Sequence, residues 1–186
     1  MPLPLPCWPR MAELLIKGAH TVLTMDDTRR ELQGADILVR DGEIIDIGEG
    51  LTSTGRSIDA GGCVVTPGLV NTHHHLYQSL TRAVPNGQNA LLFGWLQTLY
   101  PIWSQFGPEE MFTSAQVGLA ELALSGCTMT SDHLYLFPNG STLDDTIAAA
   151  AELGLRFHPT RGAMSIGESD GGLPPDALVE LSLIHI

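Results

Sequence analysis

The sequence predicts an α/β fold in which a small β-rich module precedes a parallel sheet covered by helices. Two observations carry this prediction. Residues 13–66 consist of short apolar and β-branched runs separated by glycine-containing turns. After Pro67, short apolar runs alternate with helix-length segments through short links, which is the pattern of a parallel sheet.

Three segments predict the β-rich module. "ELLIKGAHTVLTM" is rich in apolar and β-branched residues, and "ADILVRDGEIIDIGEG" is two apolar runs separated by Asp41 and Gly42, a strong hairpin signal. "RSIDAGGCVVTPG" supplies a further strand. We therefore assign residues 11–67 to one domain, with Met11 as the expected start because ordered-looking sequence begins directly after it.

Residues 68–186 contain three predicted βα units. The predicted strands are "GLVNTH", "CTMTSDHL" and "LRFHPTRG". A helix is expected over residues 92–106, with Pro101 interrupting or kinking it. "GPEEMFTSAQVGLAELALSG" and "STLDDTIAAAAELG" carry start and stop signals of helices, and "PPDALVELSLIHI" begins another. Because a complete (β/α)₈ barrel needs about 250 residues, the chain is interpreted as the front part of a larger protein.

Composition argues against several classes of partner. The formal net charge is −12 with only 9 Lys and Arg residues, so neither nucleic acid nor an anionic membrane is an expected partner. No apolar run is long enough to cross a bilayer. Cys7, Cys63 and Cys127 are far apart and odd in number, which favours free thiols in a reducing compartment and hence a cytoplasmic protein.

Three consecutive histidines, His73 to His75, follow the first predicted strand of the βα region. Strand parity places His73 and His75 on one side and His74 on the other. At the carboxyl end of a parallel barrel strand, the two rings would lie in the active-site mouth. Catalytic zinc usually takes three protein ligands and a water, so this pair would be an incomplete metal site. The alternative is that they are polar strand-end residues bonded to backbone or solvent.

The segment "IDAGGCVVTPGLVNTHHHLYQSLTRA", preceded by "ADILVRDGEIIDIGEG", resembles the amidohydrolase superfamily in its cytosine/guanine/chlorohydrolase-type deaminase branch. The resemblance extends over nearly all of residues 13–180. It implies the N-terminal part of a distorted TIM (β/α)₈ barrel, preceded by a small β-sandwich subdomain. In the family, this subdomain is formed by residues from both ends of the chain. It also implies one divalent metal ion, usually zinc or iron, with zinc expected here. By the family pattern, His73 and His75 are the first two metal ligands.

The family's later elements have no match in this chain. They are a His after the fifth strand, a His after the sixth, an Asp after the eighth, and a proton-transferring Glu. No catalytic residue is therefore assigned, and His185 comes too early to take any of these roles. The end of the sequence, residues 181–186, departs from the expected polar helix and is interpreted as a truncation or assembly artefact.

Several segments narrow the implied reaction. "HHHLYQSLTRA", "WLQTLYPIW", "TSDHLYLFP" and "RGAMSIGESDGGLPPD" most resemble deaminases of 8-oxoguanine, and hydroxytriazine alkylaminohydrolases are nearly as similar. The resemblance implies hydrolysis of a C–N bond in a cyclic amidine, giving urate and ammonia from 8-oxoguanine. A hydroxyatrazine-type reaction is the alternative. A non-catalytic fragment is the alternative from another class, and a homo-oligomer of the full-length protein is left open.

Five residues are predicted to bind the small heterocyclic substrate. Gln78 stands where guanine deaminases of this branch place a base-binding glutamine, and its amide offers both a donor and an acceptor; otherwise it is a surface residue. Trp95 and Trp103 could stack on a flat ring, with one of the two expected in the core. Trp103 also replaces an acidic residue that holds ribose in nucleoside deaminases of the branch, which favours a free base.

The remaining two candidates follow later strands. His133, after the second strand, would face the mouth, or else be a buried histidine held by Asp132 or the backbone. Arg161, after the third strand, would bind a carbonyl oxygen or pair with Glu168 or Asp170. The H-x-E and P-C-x-x-C signature of the other zinc deaminase class is absent from the sequence.

Overall fold

The computed structural model describes residues 13–179. Met11, Cys7, His185 and the segment 181–186 lie outside the described residues. The chain divides into two compact units, and the boundary falls in the sequence between Pro67 and Gly68. None of the helices formed by the described residues has the length and apolar character that a membrane crossing requires.

The N-terminal unit consists of short strands in two sheets. One sheet has the order β5-β4-β1-β6 and the other the order β3-β2-β7. The strands are β1 Glu13–Lys17, β2 Thr21–Leu23, β3 Glu31–Gln33, β4 Asp36–Arg40, β5 Glu43–Gly48, β6 Arg56–Asp59 and β7 Val64–Val65. The core between them is built mainly from small side chains, among them Ala19, Val22 and Ala35.

The predicted hairpin is confirmed, since β4 and β5 pair antiparallel. Asp41 and Gly42 both have positive φ, 50° and 86°, as a two-residue hairpin loop of primed type requires. Two of the predicted β segments each divide between the two sheets, and the prediction of a single strand in "RSIDAGGCVVTPG" is therefore corrected. "ELLIKGAHTVLTM" splits at Gly18, where φ is 65°, into β1 and β2 of different sheets, and "RSIDAGGCVVTPG" splits into β6 and β7.

The C-terminal unit contains a parallel sheet with strands in chain order. The strands are β8 Leu69–Asn71, β9 Cys127–Leu134 and β10 Arg156–Arg161, with β9 between the other two. β9 pairs parallel with both neighbours. The helices are α1 Leu92–Trp103, α2 Pro108–Leu124 and α3 Leu143–Leu153. The predicted alternation of parallel strands and helices is confirmed for these elements.

The start and stop signals of α2 and α3 act as predicted. The Gly107 amide before α2 donates to Glu110 Oε2 at 2.8 Å, and the Thr142 amide before α3 donates to Asp145 Oδ2 at 2.7 Å. These acidic side chains satisfy amides that have no partner within the helix. α3 ends at Leu153, and Gly154 directly after it has a φ of 74°, the left-handed conformation that commonly follows a helix.

Three predicted boundaries are corrected. The strand β8 ends at Asn71, so His73 lies beyond it rather than within it. The helix α1 continues two residues past Pro101 and leaves Phe106 outside. Proline removes one hydrogen bond of the last turn, and the helix continues with the Ser104 amide donating to the Tyr100 oxygen at 2.9 Å. In the described part of the predicted last helix, residues 174–179, there is a single 3₁₀ turn, Asp176–Leu178.

A 3₁₀ helix, Leu76–Thr81, follows the histidines and packs on α2. The contact requires a glycine. A Cβ atom on Gly118 of α2 would lie 2.7 Å from Ser79 Oγ and 2.8 Å from Leu76 Cδ2. The close approach of α2 therefore helps to fix the segment that leads out of the three histidines.

Candidate active site

The histidine segment lies between β8 and the 3₁₀ helix. The ring centroids of His73 and His75 are 5.1 Å apart in an edge-on arrangement. His74 instead lies against α2, with Cε1 3.5 Å from the position of a Cβ on Gly118. Alternation of side chains therefore continues past the end of β8 and brings His73 and His75 together. That they bind a metal stays a prediction.

A hydrogen bond sets the protonation of His75. Its Nδ1 is 2.7 Å from the backbone oxygen of His133, and a carbonyl oxygen only accepts, so Nδ1 carries the proton. Nε2 then keeps its lone pair. Burial lowers the pKa of His75 below its ordinary value, which favours the neutral ring. A neutral imidazole held through its other nitrogen is the form in which histidine binds metals.

The end of β9 holds the histidine segment by two further hydrogen bonds. The His133 amide donates to the His74 oxygen at 2.8 Å, and the Leu76 amide donates to Asp132 Oδ1 at 2.8 Å. Asp132 is fully buried. Burial raises the pKa of Asp132 to about 6, although the hydrogen bond from Leu76 opposes the shift. Asp132 Oδ2 and His74 Nδ1 are buried without a hydrogen-bond partner among the described residues.

The two imidazoles fit a metal as part of a ligand set. The pair offers two nitrogen donors, and the hydrogen bond to His133 fixes the tautomer of His75. Imidazole is a common zinc ligand, so the pair suits zinc. Within residues 13–179, no group of three or more His, Cys, Asp or Glu side chains is placed to hold a metal ion. Cys63 and Cys127 are both free thiols, and no thiolate pair forms among the described residues. His73 and His75 would thus need partners from elsewhere in the protein.

A cavity of about 440 Å³ opens beside His75. That volume is within the range of small-molecule sites, which are largely apolar with a few polar groups. The cavity is lined by His75, Gln78, Leu92, Trp95, Leu96, Tyr100, His133, Tyr135, Ala163 and Met164. The ring centroids of His75 and His133 are 5.5 Å apart, so the candidate metal ligand and the cavity form one continuous site.

Three of the five predicted substrate-binding residues line this cavity: Gln78, Trp95 and His133. Gln78 Nε2 donates to the Tyr77 hydroxyl at 3.1 Å, which orients the amide and leaves its oxygen as an acceptor. His133 stands at the end of β9 with its side chain exposed. Substrate binding by each of them remains a prediction.

Trp103 does not line the cavity, and the prediction that it contacts substrate is corrected. Its side chain is fully buried, and Nε1 donates to Thr81 Oγ1 at 3.0 Å. It packs edge-on against Trp95, with ring centroids 5.3 Å apart. An indole that is enclosed on all sides has no free face for a heterocycle, so Trp103 is a core residue that supports Trp95.

Arg161 ends β10 and is outside the residues that line the cavity. Its guanidinium lies over the Phe137 ring, 4.6 Å from the centroid, and Nη1 donates to the Gly162 oxygen at 3.2 Å. The cation–π contact holds the side chain near the end of β9. Contact of Arg161 with a carbonyl oxygen of the substrate stays a prediction.

Two tyrosines of the site, Tyr100 and Tyr135, were not predicted from the sequence. Tyr100 and Tyr135 line the cavity, and burial raises the pKa of Tyr100 to about 12, so its hydroxyl stays protonated at neutral pH. Tyr135 packs edge-on against His75, with ring centroids 5.3 Å apart. Parity could have found Tyr135, because it stands two residues after His133. Tyr100 had no such signal, since its helical spacing is that of an ordinary core residue.

The position of His133 depends on Gly162. A Cβ atom at residue 162 would lie 2.5 Å from His133 Nε2 and 2.8 Å from Tyr135 Cβ. In the complete protein, Gly162→Ala is therefore expected to displace the His133 ring and to lower kcat/KM by about tenfold. Overpacking at this position is also expected to lower the free energy of unfolding by about 1–3 kcal/mol. Steady-state kinetics and denaturant titration measure the two effects.

The matched control is Gly48→Ala, since a Cβ there meets no atom within 4 Å. It is expected to leave both quantities nearly unchanged. A Gly162→Ala enzyme with unaltered kcat/KM would show that the His133 ring does not need its observed position.

Comparison with known proteins identifies the family. Residues 64–181 match the model of the amidohydrolase family. The chain is 49% identical over 150 residues to 8-oxoguanine deaminase of Pseudomonas aeruginosa, covering 77% of this chain and 33% of that protein. It is 36% identical over 186 residues to hydroxydechloroatrazine ethylaminohydrolase of Pseudomonas sp. strain ADP, covering 91% of this chain and 39% of the relative.

Solved structures agree with these matches. The crystal structure of atrazine chlorohydrolase from Arthrobacter aurescens complexed with zinc superposes with a TM-score of 0.80 and 36% identity, covering 90% of this chain and 39% of that chain. The chain thus spans between a third and two fifths of the length of these relatives. Since the family model covers more than half of its residues, this chain belongs to the amidohydrolase family.

Proposed function

We propose that this chain supplies the first βα units, and two metal ligands, of a metal-dependent aminohydrolase that acts on an amino-substituted heterocycle. The carrying observation is His75. Its Nδ1 donates to the backbone of β9, its ring stands 5.1 Å from that of His73, and it lines the cavity. In this proposal the parallel sheet belongs to a distorted (β/α)₈ barrel, and the N-terminal unit belongs to a β-sandwich subdomain.

His73 and His75 would hold the ion, with zinc the expected one because a related hydrolase is known in complex with zinc. When bound, such an ion supplies hydroxide near neutral pH, because coordination lowers the pKa of water. The reaction is then hydrolysis of the bond between a ring carbon and its exocyclic nitrogen. One water molecule enters, the ring carbon becomes a carbonyl, and ammonia leaves.

The chain's own residues would bind and orient the ring. Trp95 offers an indole face supported by Trp103, and a flat heterocycle stacks well on such a face. Gln78 offers an amide oxygen, since Nε2 is engaged by Tyr77. Tyr100 and Tyr135 also line the cavity. Apolar faces with a few hydrogen-bonding groups at the edge suit an oxopurine.

We further propose a free base as the substrate, with 8-oxoguanine first and urate and ammonia as products. The related deaminase of P. aeruginosa supports this choice. Among the described residues that line the cavity there is no carboxylate, whereas ribose recognition in this branch uses an acidic residue. Trp103 supports a free base only indirectly, because its side chain is buried and does not line the cavity.

Hydrolysis of an alkylaminotriazine is the second candidate. The hydroxydechloroatrazine ethylaminohydrolase described above aligns with 91% of this chain. Alkylaminotriazines share a planar ring and an exocyclic nitrogen with aminated oxopurines. The pocket around the leaving nitrogen decides between ammonia and an alkylamine.

The test is a comparison of kcat/KM for 8-oxoguanine, guanine, guanosine and hydroxyatrazine, measured with protein expressed from the complete open reading frame. We expect 8-oxoguanine to be preferred, because a site built to pair with polar edges discriminates strongly against analogues that lack them. Preference for hydroxyatrazine would favour the second candidate. Preference for guanosine would contradict the free-base proposal, and no turnover of any of the four would contradict the reaction class.

A further inference from the structure

The carboxylate of Asp132 occupies an unusual place in the sheet. Along β9, Thr130, Asp132 and Leu134 are fully buried, while His133 between them is exposed. Asp132 therefore belongs to the buried layer of the strand and not to the side that carries His133. Burying a carboxylate is costly unless hydrogen bonds compensate it, so its presence in this layer calls for a specific partner.

That partner is the backbone directly after His75. Asp132 Oδ1 accepts the Leu76 amide at 2.8 Å. Leu76 opens the 3₁₀ helix, and His75 at its N-cap position makes no side-chain capping hydrogen bond. Asp132 supplies this cap from a strand that is 56 residues away in sequence. A charge-assisted hydrogen bond of this kind is about twice as strong as a neutral one.

The same strand end also holds His75 itself. The carbonyl of the next residue, His133, accepts from His75 Nδ1 at 2.7 Å, and the His133 amide donates to His74. The anchor on Leu76 and the hydrogen bond on the imidazole are thus adjacent on one strand. If the Leu76 anchor is lost, the backbone of His75 can shift, and the imidazole loses its alignment with the His133 carbonyl.

We propose that Asp132 is a positioning residue for the metal site. Its carboxylate fixes the backbone between His75 and Leu76 so that the His75 ring keeps Nδ1 on the His133 carbonyl and presents Nε2. This inference rests on the proposed metal-dependent function. Asp132 binds neither metal nor substrate in this account, and its effect on the reaction passes through His75.

The chain provides a matched control in Asp36. It is also a buried aspartate that accepts backbone amides, from Gly18 at 2.7 Å and from Leu51 at 2.9 Å. It belongs to the N-terminal unit, and its hydrogen bonds involve none of the three histidines. The Asp36→Ala variant therefore measures how much stability the fold loses when a buried carboxylate that accepts backbone amides is removed, without any effect on the histidines.

The experiment measures zinc affinity by chelator competition, and the visible spectrum of the Co²⁺-substituted protein, for the complete protein and three variants. Asp132→Ala is expected to weaken zinc binding about 10- to 100-fold, the usual effect of losing an outer partner of a metal ligand, and to change the Co²⁺ spectrum. Asp132→Asn, which keeps an acceptor oxygen, is expected to restore most of the affinity. Asp36→Ala is expected to lower the thermal midpoint and leave both metal readouts unchanged.

Equal zinc affinity in Asp132→Ala and the unmodified protein would overturn the inference, and so would an equal loss in Asp36→Ala. If the Asp132→Ala protein does not fold, Asp132→Ser is used in its place. The serine side chain is shorter than that of aspartate, so its oxygen no longer reaches the Leu76 amide, and the same loss of zinc affinity is expected. An unmodified complete protein that binds no zinc or Co²⁺ would instead contradict the proposed function and the inference together, which separates that failure from the failure of Asp132 alone.

Discussion

Replacing either His73 or His75 by alanine in the complete protein is expected to remove the bound metal and nearly all deaminase activity. Loss of an outer partner of a metal ligand already costs 10- to 100-fold, so loss of the ligand itself should lower kcat/KM by more than about 100-fold. Metal content by elemental analysis of the purified variants and steady-state kinetics measure the two quantities. Both should fall together, because the proposed hydroxide source depends on the ion.

Two other histidines provide the controls for this experiment. His20 is an exposed residue of the N-terminal unit, and His20→Ala should retain metal and activity. His74 lies against α2 instead of beside His73 and His75, so His74→Ala should lower stability while the metal content is retained. A His74 variant that loses its metal, together with a His73 or His75 variant that keeps it, would contradict the assignment.

The isolated 186-residue chain is expected to show no deaminase turnover and no sharp unfolding transition. In the described sheet, β8 and β10 each have one neighbour, and Leu69 and Val70 of β8 are each 59% exposed. Unpaired strand edges and uncovered apolar side chains favour association over stable folding. Turnover assays, analytical ultracentrifugation and thermal melting compare the chain with the complete protein.

The complete protein is the positive control and should melt cooperatively under the same conditions. Measurable turnover by the isolated chain, or cooperative unfolding of a soluble monomer, would contradict the expectation. Cooperative unfolding would mean that the described sheet is stable without further strands, and turnover would mean that a working ligand set exists within this chain.

Local signals were sufficient for the elements whose ends depend on neighbouring residues. Glu110 and Asp145 help to determine where α2 and α3 begin, because their carboxylates accept the backbone amides of Gly107 and Thr142. Asp41 and Gly42 determine the hairpin for a similar reason. The pairing of His73 with His75 also followed from parity, because the alternation of side chains continues beyond Asn71.

Features that depend on distant segments could not be predicted in the same way. The division of "ELLIKGAHTVLTM" between two sheets depends on which strands pair with β1 and β2. The alternation of apolar and polar residues within a segment does not show which other strand it pairs with. The burial of Trp103 depends on Thr81 and Trp95 closing around it. The role of Asp132 rests on a hydrogen bond to Leu76, 56 residues away, and in the sequence it was only a neighbour of His133.

The central claim is that His73 and His75 are metal ligands, and the most direct test is a crystal structure of the complete protein prepared with zinc. We expect one ion with His75 Nε2 and a ring nitrogen of His73 each at about 2.0–2.1 Å, and with His75 Nδ1 still donating to the His133 carbonyl. His74 should have no contact with the ion. A zinc ion bound in the protein without either His73 or His75 would contradict the account.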